Sequence, residues 1–286
     1  MNILTFDIED WFNLLEHPLT DNIDNWKAFE SRVDRSTNII LDLLDKHETK
    51  GTFFVLGWVA ENHPQIIKEI QKRGHEIGTH SYAHKVAYSQ TRDEFSNDLI
   101  KSIRLLEDVL GKKITAYRAP GFSVTEKNMW VYDILMENGI SHDSSIFPAA
   151  RYHGGFNNFP AQKPFKIHHQ NKEIHSFPLN IKKILNFNIV YTGGGYFRLL
   201  PKQIIKRFME GDDYVMTYFH PRDFDYQQPV MDKLSLFRRF KSYYGLKGAL
   251  QKLSSIIEDF SFMNIEEADK RINWNEVETI DLKNYL

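Results

Sequence analysis

Hydrophobic positions along the chain alternate between short apolar runs and stripes spaced for one face of a helix, which predicts strands and helices in turn. Ile3 to Phe6 is apolar and β-prone, and Ser36 is placed to cap a helix in which Ile39, Ile40, Leu43 and Leu44 share a face. Gly51 to Leu56 predicts the next strand. Pro64 then stands where a first helical turn accepts proline, Ile66, Ile67 and Ile70 form the buried stripe, and Gly74 ends the helix. His75 to Thr79 predicts a third strand. Thr91 caps a longer helix with Phe95, Leu99, Ile103, Leu106 and Leu110 inward and Gly111 as its stop. Ile114 to Tyr117 and Thr125 to Asn138 read as one more strand and helix.

From residue 146 to 195 the pattern loosens into loops and β-like pieces, including Glu173 to Ile181. Gly193-Gly194-Gly195 reads as a plain loop, the commonest use of clustered glycine, or as a close approach of backbone to a ligand. A helix begins near Pro201, and Tyr214 to Phe219 predicts a late buried strand that delivers His220-Pro221. Amphipathic helix rich in Lys and Arg follows from Ser235, with Phe237, Phe240, Tyr243 and Tyr244 expected to pack on the core. The βαβα rhythm argues for an α/β fold with a parallel sheet covered by helices. No repeat, low-complexity segment or linker separates a second independent domain.

Composition narrows the function. With 286 residues, 42% hydrophobic and 14% aromatic, the chain can bury a large core, which excludes disorder. A net charge of −2 gives no global basic field, so nucleic acid and an anionic membrane surface are poor first candidates for a partner. The absence of cysteine removes disulfides, thiolate metal sites and a cysteine nucleophile. Any metal must be held by N and O ligands. The chain opens directly into a strand with no signal-like leader, and no apolar run is long enough to span a membrane, so a cytoplasmic protein without a transmembrane segment is expected.

Candidate chemistry gathers at one end of the predicted strands. His80-Ser81-Tyr82-Ala83-His84 sets two imidazoles close enough to share one divalent metal, and Asp7-Ile8-Glu9-Asp10 closes the first strand with carboxylates. Residues i and i+2 of a strand share a face, which favours Glu9 beside Asp7 as the oxygen ligand; Asp10 takes its place if the strand ends in a turn or bulge. Asp7, Glu9, Asp10, His80, His84, Arg118, Asp143 and His220 all lie at or just beyond a strand's C-terminal end, where parallel α/β folds build their sites.

The ordered set Thr5-Phe6-Asp7, His80-Ser81-x-x-His84, Arg118-Ala119-Pro120-Gly121-Phe122 and Phe219-His220-Pro221 resembles the signature of polysaccharide deacetylases with the NodB-homology domain, carbohydrate esterase family 4. Asp7 to Phe12, Gly193 to Arg198 and His220 to Asp225 further resemble the exopolysaccharide-locus branch, near allantoinase-like and peptidoglycan-deacetylase-like members. The resemblance covers about residues 1–225, leaving 226–286 as a C-terminal helical extension packed on the barrel. It implies an incomplete or distorted (β/α) barrel with about seven parallel strands. The implied activity is hydrolysis of an N-acetyl group from an amino sugar of a polysaccharide, glycan precursor or glycoconjugate.

By resemblance, His80 and His84 are metal ligands, Asp7 is the general base, Arg118 pairs with it, and His220 donates the proton to the departing nitrogen. Zn²⁺ is the expected ion, and Co²⁺ or Ni²⁺ also suit two His and a carboxylate. Asp143 is a candidate to orient His220, or a simple turn aspartate. The chain departs from the family pattern at Ile8, where common members carry the second of two adjacent aspartates, and at Gly121-Phe122. The Gly121 N–H is a candidate oxyanion donor because that role needs no side chain. Trp11, Phe122, Tyr196 and Arg198 are candidate substrate contacts. Rival readings are an allantoinase-like amidase acting on another C–N bond and a sugar-binding protein without turnover. A glycosidase leaves the histidine pair and Arg118 without a role.

Overall fold

The opening segment dictates where much of the chain must go. Strands β1 (Asn2–Ile3) and β2 (Thr5–Ile8) are consecutive pieces of it, and every residue of β2 is buried. A strand buried on both faces requires covering layers on both sides, and its backbone groups require partners on both edges. In the computed structural model, which describes residues 1–149, 154–157, 159–184 and 187–285, one edge of β2 pairs in parallel with β3 (Thr52–Val55). The series continues in parallel through β4 (Glu76–Thr79), β5 (Ala116–Tyr117) and β6 (His142–Asp143). A hairpin of β7 (Phe165–His169) and β8 (Lys172–Ser176) extends it, with β8 parallel to β6 and antiparallel to β7.

Strands β9 (Lys182–Ile184) and β10 (Phe187–Ile189) form a separate antiparallel pair. On the other edge of the opening segment, β11 (Val215–Met216) runs parallel to β1, and a parallel bridge joins Phe6 to Phe219. The last strand, β12 (Thr279–Asp281), adds in parallel beside β7, completing an eight-stranded sheet of order β12-β7-β8-β6-β5-β4-β3-β2. The architecture is the expected distorted (β/α) barrel. It departs from an all-parallel set at the β7–β8 hairpin.

Helices cover the sheet where apolar stripes predict them. α1 (Val33–Lys46) buries Ile40, Leu41, Leu43 and Leu44; α2 (Gly57–Asn62) leads into α3 (Pro64–Lys72), which buries Ile66, Ile67 and Ile70. α4 (Arg92–Leu110) has the Thr91/Glu94 capping box and stops at Gly111 in the left-handed conformation. The expected helix from Thr125 is broken by a 3-10 turn before α5 (Val131–Glu137). α1 begins before Ser36, whose hydroxyl instead donates to Asp225.

The glycine cluster is not a plain loop, because Gly194 and Gly195 open α6 (Gly194–Leu199), ahead of α7 (Lys202–Glu210). At Gly193 the Tyr218 ring lies against the backbone, and a Cβ there would fall 1.9 Å from a ring carbon. After residue 225 come α8 (Leu236–Tyr243), α9 (Leu246–Asp259) and α10 (Ile265–Arg271). α9 packs through Ala249, Leu253, Ile256 and Ile257. α8 buries nothing, contrary to the packing expected of Phe237 and Phe240. Among the described residues, no helix is long and apolar enough to cross a membrane.

His75, at the entrance to β4, is buried against Phe53; its Nδ1 accepts the Gly51 N–H at 3.3 Å and its Nε2 has no partner. Burial pushes this imidazole down from 6.5 to about 4. The native state therefore resists a proton that the unfolded chain accepts, and stability is lost as pH falls from about 6.5 toward about 4. His75→Gln, which keeps an acceptor for Gly51 without a titrating ring, is expected to reduce that acid loss by up to roughly 3 kcal/mol. Urea unfolding of both proteins across this window checks it.

Candidate active site

The C-terminal ends of the barrel strands converge on a pocket of about 240 Å³ whose lining includes Asp7, Glu9, His80, His84 and His220. Asp7 stands near the end of β2, held by parallel pairing to Phe54 and by donation of its N–H to the Phe219 carbonyl at 2.7 Å. Its Oδ1 accepts from Arg118 Nη1 at 2.8 Å. Arg118 is completely buried, and the same nitrogen reaches Thr5 Oγ1 at 2.7 Å while Nη2 donates to Ser144 Oγ at 2.8 Å and Nε to the Ser144 carbonyl at 3.2 Å. Its guanidinium carbon lies 4.3 Å from the centre of the Phe54 ring. A buried guanidinium is tolerable only when paired and multiply hydrogen-bonded, as here.

Glu9 follows a tight turn in which its N–H donates back to the Asp7 carbonyl at 3.2 Å. Its Oε2 lies 2.7 Å from His84 Nε2 and its Oε1 3.5 Å from His220 Nε2. Burial alone would raise this carboxyl, but His84 and His220 outweigh it and hold Glu9 at about 2. His80 Nδ1 lies 2.8 Å from the Arg118 carbonyl, so this nitrogen carries the proton and Nε2 keeps its lone pair. Burial pushes His80 down to about 4, which favours the neutral, ligating form.

The loop carrying both histidines is held from outside. Ser81 and His84 have φ of 64° and 54°, conformations that cost of order 1–3 kcal/mol each. The Asp98 carboxylate on α4 accepts the Tyr82 and Ala83 N–H groups at 2.7 and 3.1 Å, fixing the turn between them.

His220 lies beyond β11, with Nε2 3.9 Å from Asp7 Oδ2. Its Nδ1 donates to Asp223 Oδ2 at 3.1 Å, and Arg198 Nε lies 3.2 Å from Asp223 Oδ1. Burial opposes charging of His220, but Glu9 and Asp223 override it and raise the imidazole to about 9. Burial likewise opposes the Asp223 charge, which Arg198 and His220 restore, leaving Asp223 at about 2.

Several candidates lie elsewhere. Asp10 is spent on the start of α1, where its carboxylate accepts from the Trp11, Arg32 and Val33 N–H groups and from Ser31 Oγ. Burial raises its pKa. Asp143 does not orient His220: it accepts from Tyr132 and Ser176 at 3.0 Å each, and from the Ser145 N–H. Trp11 is buried in an aromatic group with Phe12 and Phe29, its indole donating to the Glu30 carbonyl. Tyr196 lines a separate groove. Arg198 borders the pocket, but its guanidinium is committed to Asp223 and to the carbonyls of Gly194, Lys241, Ser242 and Tyr244.

Gly121 and Phe122 do line the pocket, both with left-handed φ. Sequence reasoning assigned no role to Asp223 or Asp98. Asp223, three residues after His220 in the capping-box position, carried a usable signal. Asp98 carried none beyond its place on α4.

Among the described residues, two groups bring three possible ligand atoms within 4.8 Å: Glu9/His80/His84, and His142/His175/Asp269 on other elements. In the second, His175 Nδ1 is hydrogen-bonded to Asp269 at 2.6 Å and its ring is stacked on Trp274. In the first, the buried Glu9 Oε2 approaches His84 outside hydrogen-bond geometry and has no hydrogen-bond partner. An orphaned carboxylate oxygen facing two imidazoles, one with its tautomer fixed, fits a divalent cation.

Residues 21–135 match the family described as Polysaccharide deacetylase, and residues 144–270 match Domain of unknown function (DUF3473). His80, His84 and Arg118 fall in the first match and His220 and Asp223 in the second, while Asp7 and Glu9 precede both. The chain is 35% identical over 117 residues to a peptidoglycan-N-acetylglucosamine deacetylase of Bacillus cereus, covering 37% of this chain and 42% of that protein. It is 36% identical over 81 residues to a peptidoglycan-N-acetylmuramic acid deacetylase of Bacillus subtilis, covering 28% of this chain and 31% of that protein. The chain thus spans less than half the length of these curated relatives. A crystal structure from Mycobacterium smegmatis, of a protein provisionally classed as a polysaccharide deacetylase, superposes with a TM-score of 0.67 over 97% of this chain and 91% of that one, at 18% identity. This likeness is one of fold.

Removing one partner of the central pair tests the burial argument. Arg118→Met strands the Asp7 carboxylate in the barrel and should cost about 3–5 kcal/mol in urea unfolding, with part of the loss recovered in Arg118→Met/Asp7→Leu.

Proposed function

We propose that this chain, which belongs to the polysaccharide deacetylase family, is a divalent-metal-dependent hydrolase that removes the N-acetyl group from an amino sugar of a glycan. The observation that carries this reading is the buried Glu9 Oε2, 2.7 Å from His84 Nε2 but without a hydrogen-bond partner, with His80 beside them, in the same pocket as the Asp7–Arg118 and His220–Asp223 pairs. The relatives named as peptidoglycan deacetylases support the substrate class, an N-acetylated glucosamine or muramic acid unit.

Glu9, His80 and His84 would hold the cation, with Zn²⁺ the first choice and Co²⁺ or Ni²⁺ also suited to this donor set. When bound, it supplies Lewis acidity toward the acetyl carbonyl and the attacking water. Asp7 Oδ1 is occupied by Arg118, which leaves Oδ2, on the His220 side, to take the water's proton. The attack adds oxygen to the carbonyl carbon, and the N–H of Gly121, a residue lining the pocket, is the candidate donor to the developing oxyanion.

His220 then gives its Nε2 proton to the nitrogen as the C–N bond breaks, releasing acetate and a free amine. Asp223 keeps the proton on Nδ1 and the ring in place. With Glu9 committed to a cation, Asp223 and Asp7 would still favour the charge on His220.

Metal analysis of the purified, zinc-loaded protein is expected to give about one ion per chain, lost in His80→Ala, His84→Ala and Glu9→Gln but retained in Asp10→Asn. A wild type that holds none after loading would sink the proposed chemistry. Asp7→Asn should keep its metal and lose acetate release from N-acetylated glycan fragments by about a hundredfold or more; near-normal release would remove Asp7 as the base.

A further inference from the structure

α8 exposes an apolar face rather than burying one. Leu236, Phe237 and Phe240 are 85%, 77% and 51% exposed, and Tyr244 follows on the same side one turn after Phe240. Tyr196 and Leu199 of α6 continue the patch, and between the two helices runs a groove of about 260 Å³. Folded proteins rarely leave a contiguous aromatic and aliphatic surface uncovered without a use for it.

Charge around the patch indicates what covers it. Residues 233–257 contain six Lys and Arg and no Asp or Glu, within a chain of net charge −2. Arg238 is spent on the Leu15 and Glu16 carbonyls and Lys252 on those of Phe197, Arg198 and Leu200. Lys233, Arg239 and Lys247 are exposed. The near-neutral total thus conceals a local basic rim around an apolar centre. A second copy docked through the same face would bring two basic rims together. Exposed Leu199 and Leu236 offer a sugar neither a stacking plane nor a hydrogen bond.

We propose that α8 and the adjoining edge of α6 dock on a bilayer surface containing anionic lipids. Leu236, Phe237 and Phe240 would enter the boundary between headgroups and acyl chains, with the basic side chains among the lipid phosphates. Gly195 and Lys241 line both the groove and the catalytic pocket, so docking turns the pocket mouth toward the membrane surface. The inference goes beyond the deacetylase reading and does not depend on it, since the test measures binding.

The full chain is to be sedimented with vesicles of phosphatidylcholine containing phosphatidylglycerol, and with phosphatidylcholine alone. Binding is expected to the anionic vesicles, weaker to the neutral ones, and to fall as salt rises. Phe237→Ser/Phe240→Ser should weaken it by about tenfold or more, and Arg239→Gln and Lys247→Gln by about fivefold each. Circular dichroism melts and sedimentation velocity accompany every variant. The proposal is overturned if the wild type ignores anionic vesicles at low salt, or if the folded variants bind as the wild type does. A dimer that the Phe variants dissociate would assign the face to a second copy instead. Loss of binding to insoluble peptidoglycan in those variants, without vesicle binding in the wild type, would assign it to glycan.

Discussion

Arg118 brings a permanent charge to a fully buried place inside the barrel, and what surrounds it determines how the site is assembled. Asp7 neutralises it, Thr5, Ser144 and the Met216 sulfur take the remaining side-chain donors, and Phe54 covers it. Leaving such a guanidinium unpaired would cost several kcal/mol, so three strands, β2, β5 and β6, are fixed relative to one another through the residues that satisfy it. The backbone carbonyl of the same residue receives the His80 Nδ1 proton. One residue therefore orients a carboxylate with its side chain and an imidazole with its main chain, and any shift of β5 moves both.

Around this pair, charges alternate in sign. Arg198 faces Asp223, Asp223 faces His220, and His220 faces Glu9, whose other oxygen meets the His84 imidazole. Each buried charge is offset by its neighbours, which accounts for the low pKa of both Glu9 and Asp223 despite burial. The row is saturated at the Arg198 end, where the guanidinium donates to backbone carbonyls. At the Glu9 end an oxygen lacks a hydrogen-bond partner, and it is there that an added cation has the most to gain.

Much of this was legible in the sequence because parallel strands put their C-terminal ends on one side of the sheet. Asp7, His80, Arg118 and His220 were readable from that rule together with the motifs. The i, i+2 alternation pointed to Glu9, and the structure places Glu9 with the histidines. Asp10 was ambiguous because its real partners, Arg32 and Val33, begin a helix more than twenty residues later, and no local pattern shows a long-range cap. Asp143 satisfied the strand-end rule but faces Tyr132 and Ser176, since a two-residue strand gives the alternation too little length to define a side. The same shortness hid β12. The apolar stripe of α8 was visible, but periodicity alone cannot tell whether such a face meets a core or solvent.

The spacing Asp7-Ile8-Glu9 gives the two carboxylates different partners. Ile8 is buried, the turn after it brings the Glu9 N–H back to the Asp7 carbonyl, and the longer Glu9 side chain reaches past Asp7 to the histidines. Adjacent acids on one strand would point to opposite faces, so bringing both into one pocket requires either a distorted strand or an intervening residue. This chain has both, with Ile8 between the acids and a turn directly after it. As a result Asp7 is tied to a cation that never leaves, whereas Glu9 faces imidazoles that can share it with one that exchanges. The proposed roles of base and metal ligand need that difference: one carboxylate would keep an oxygen open to a proton, and the other would yield both position and charge to an ion.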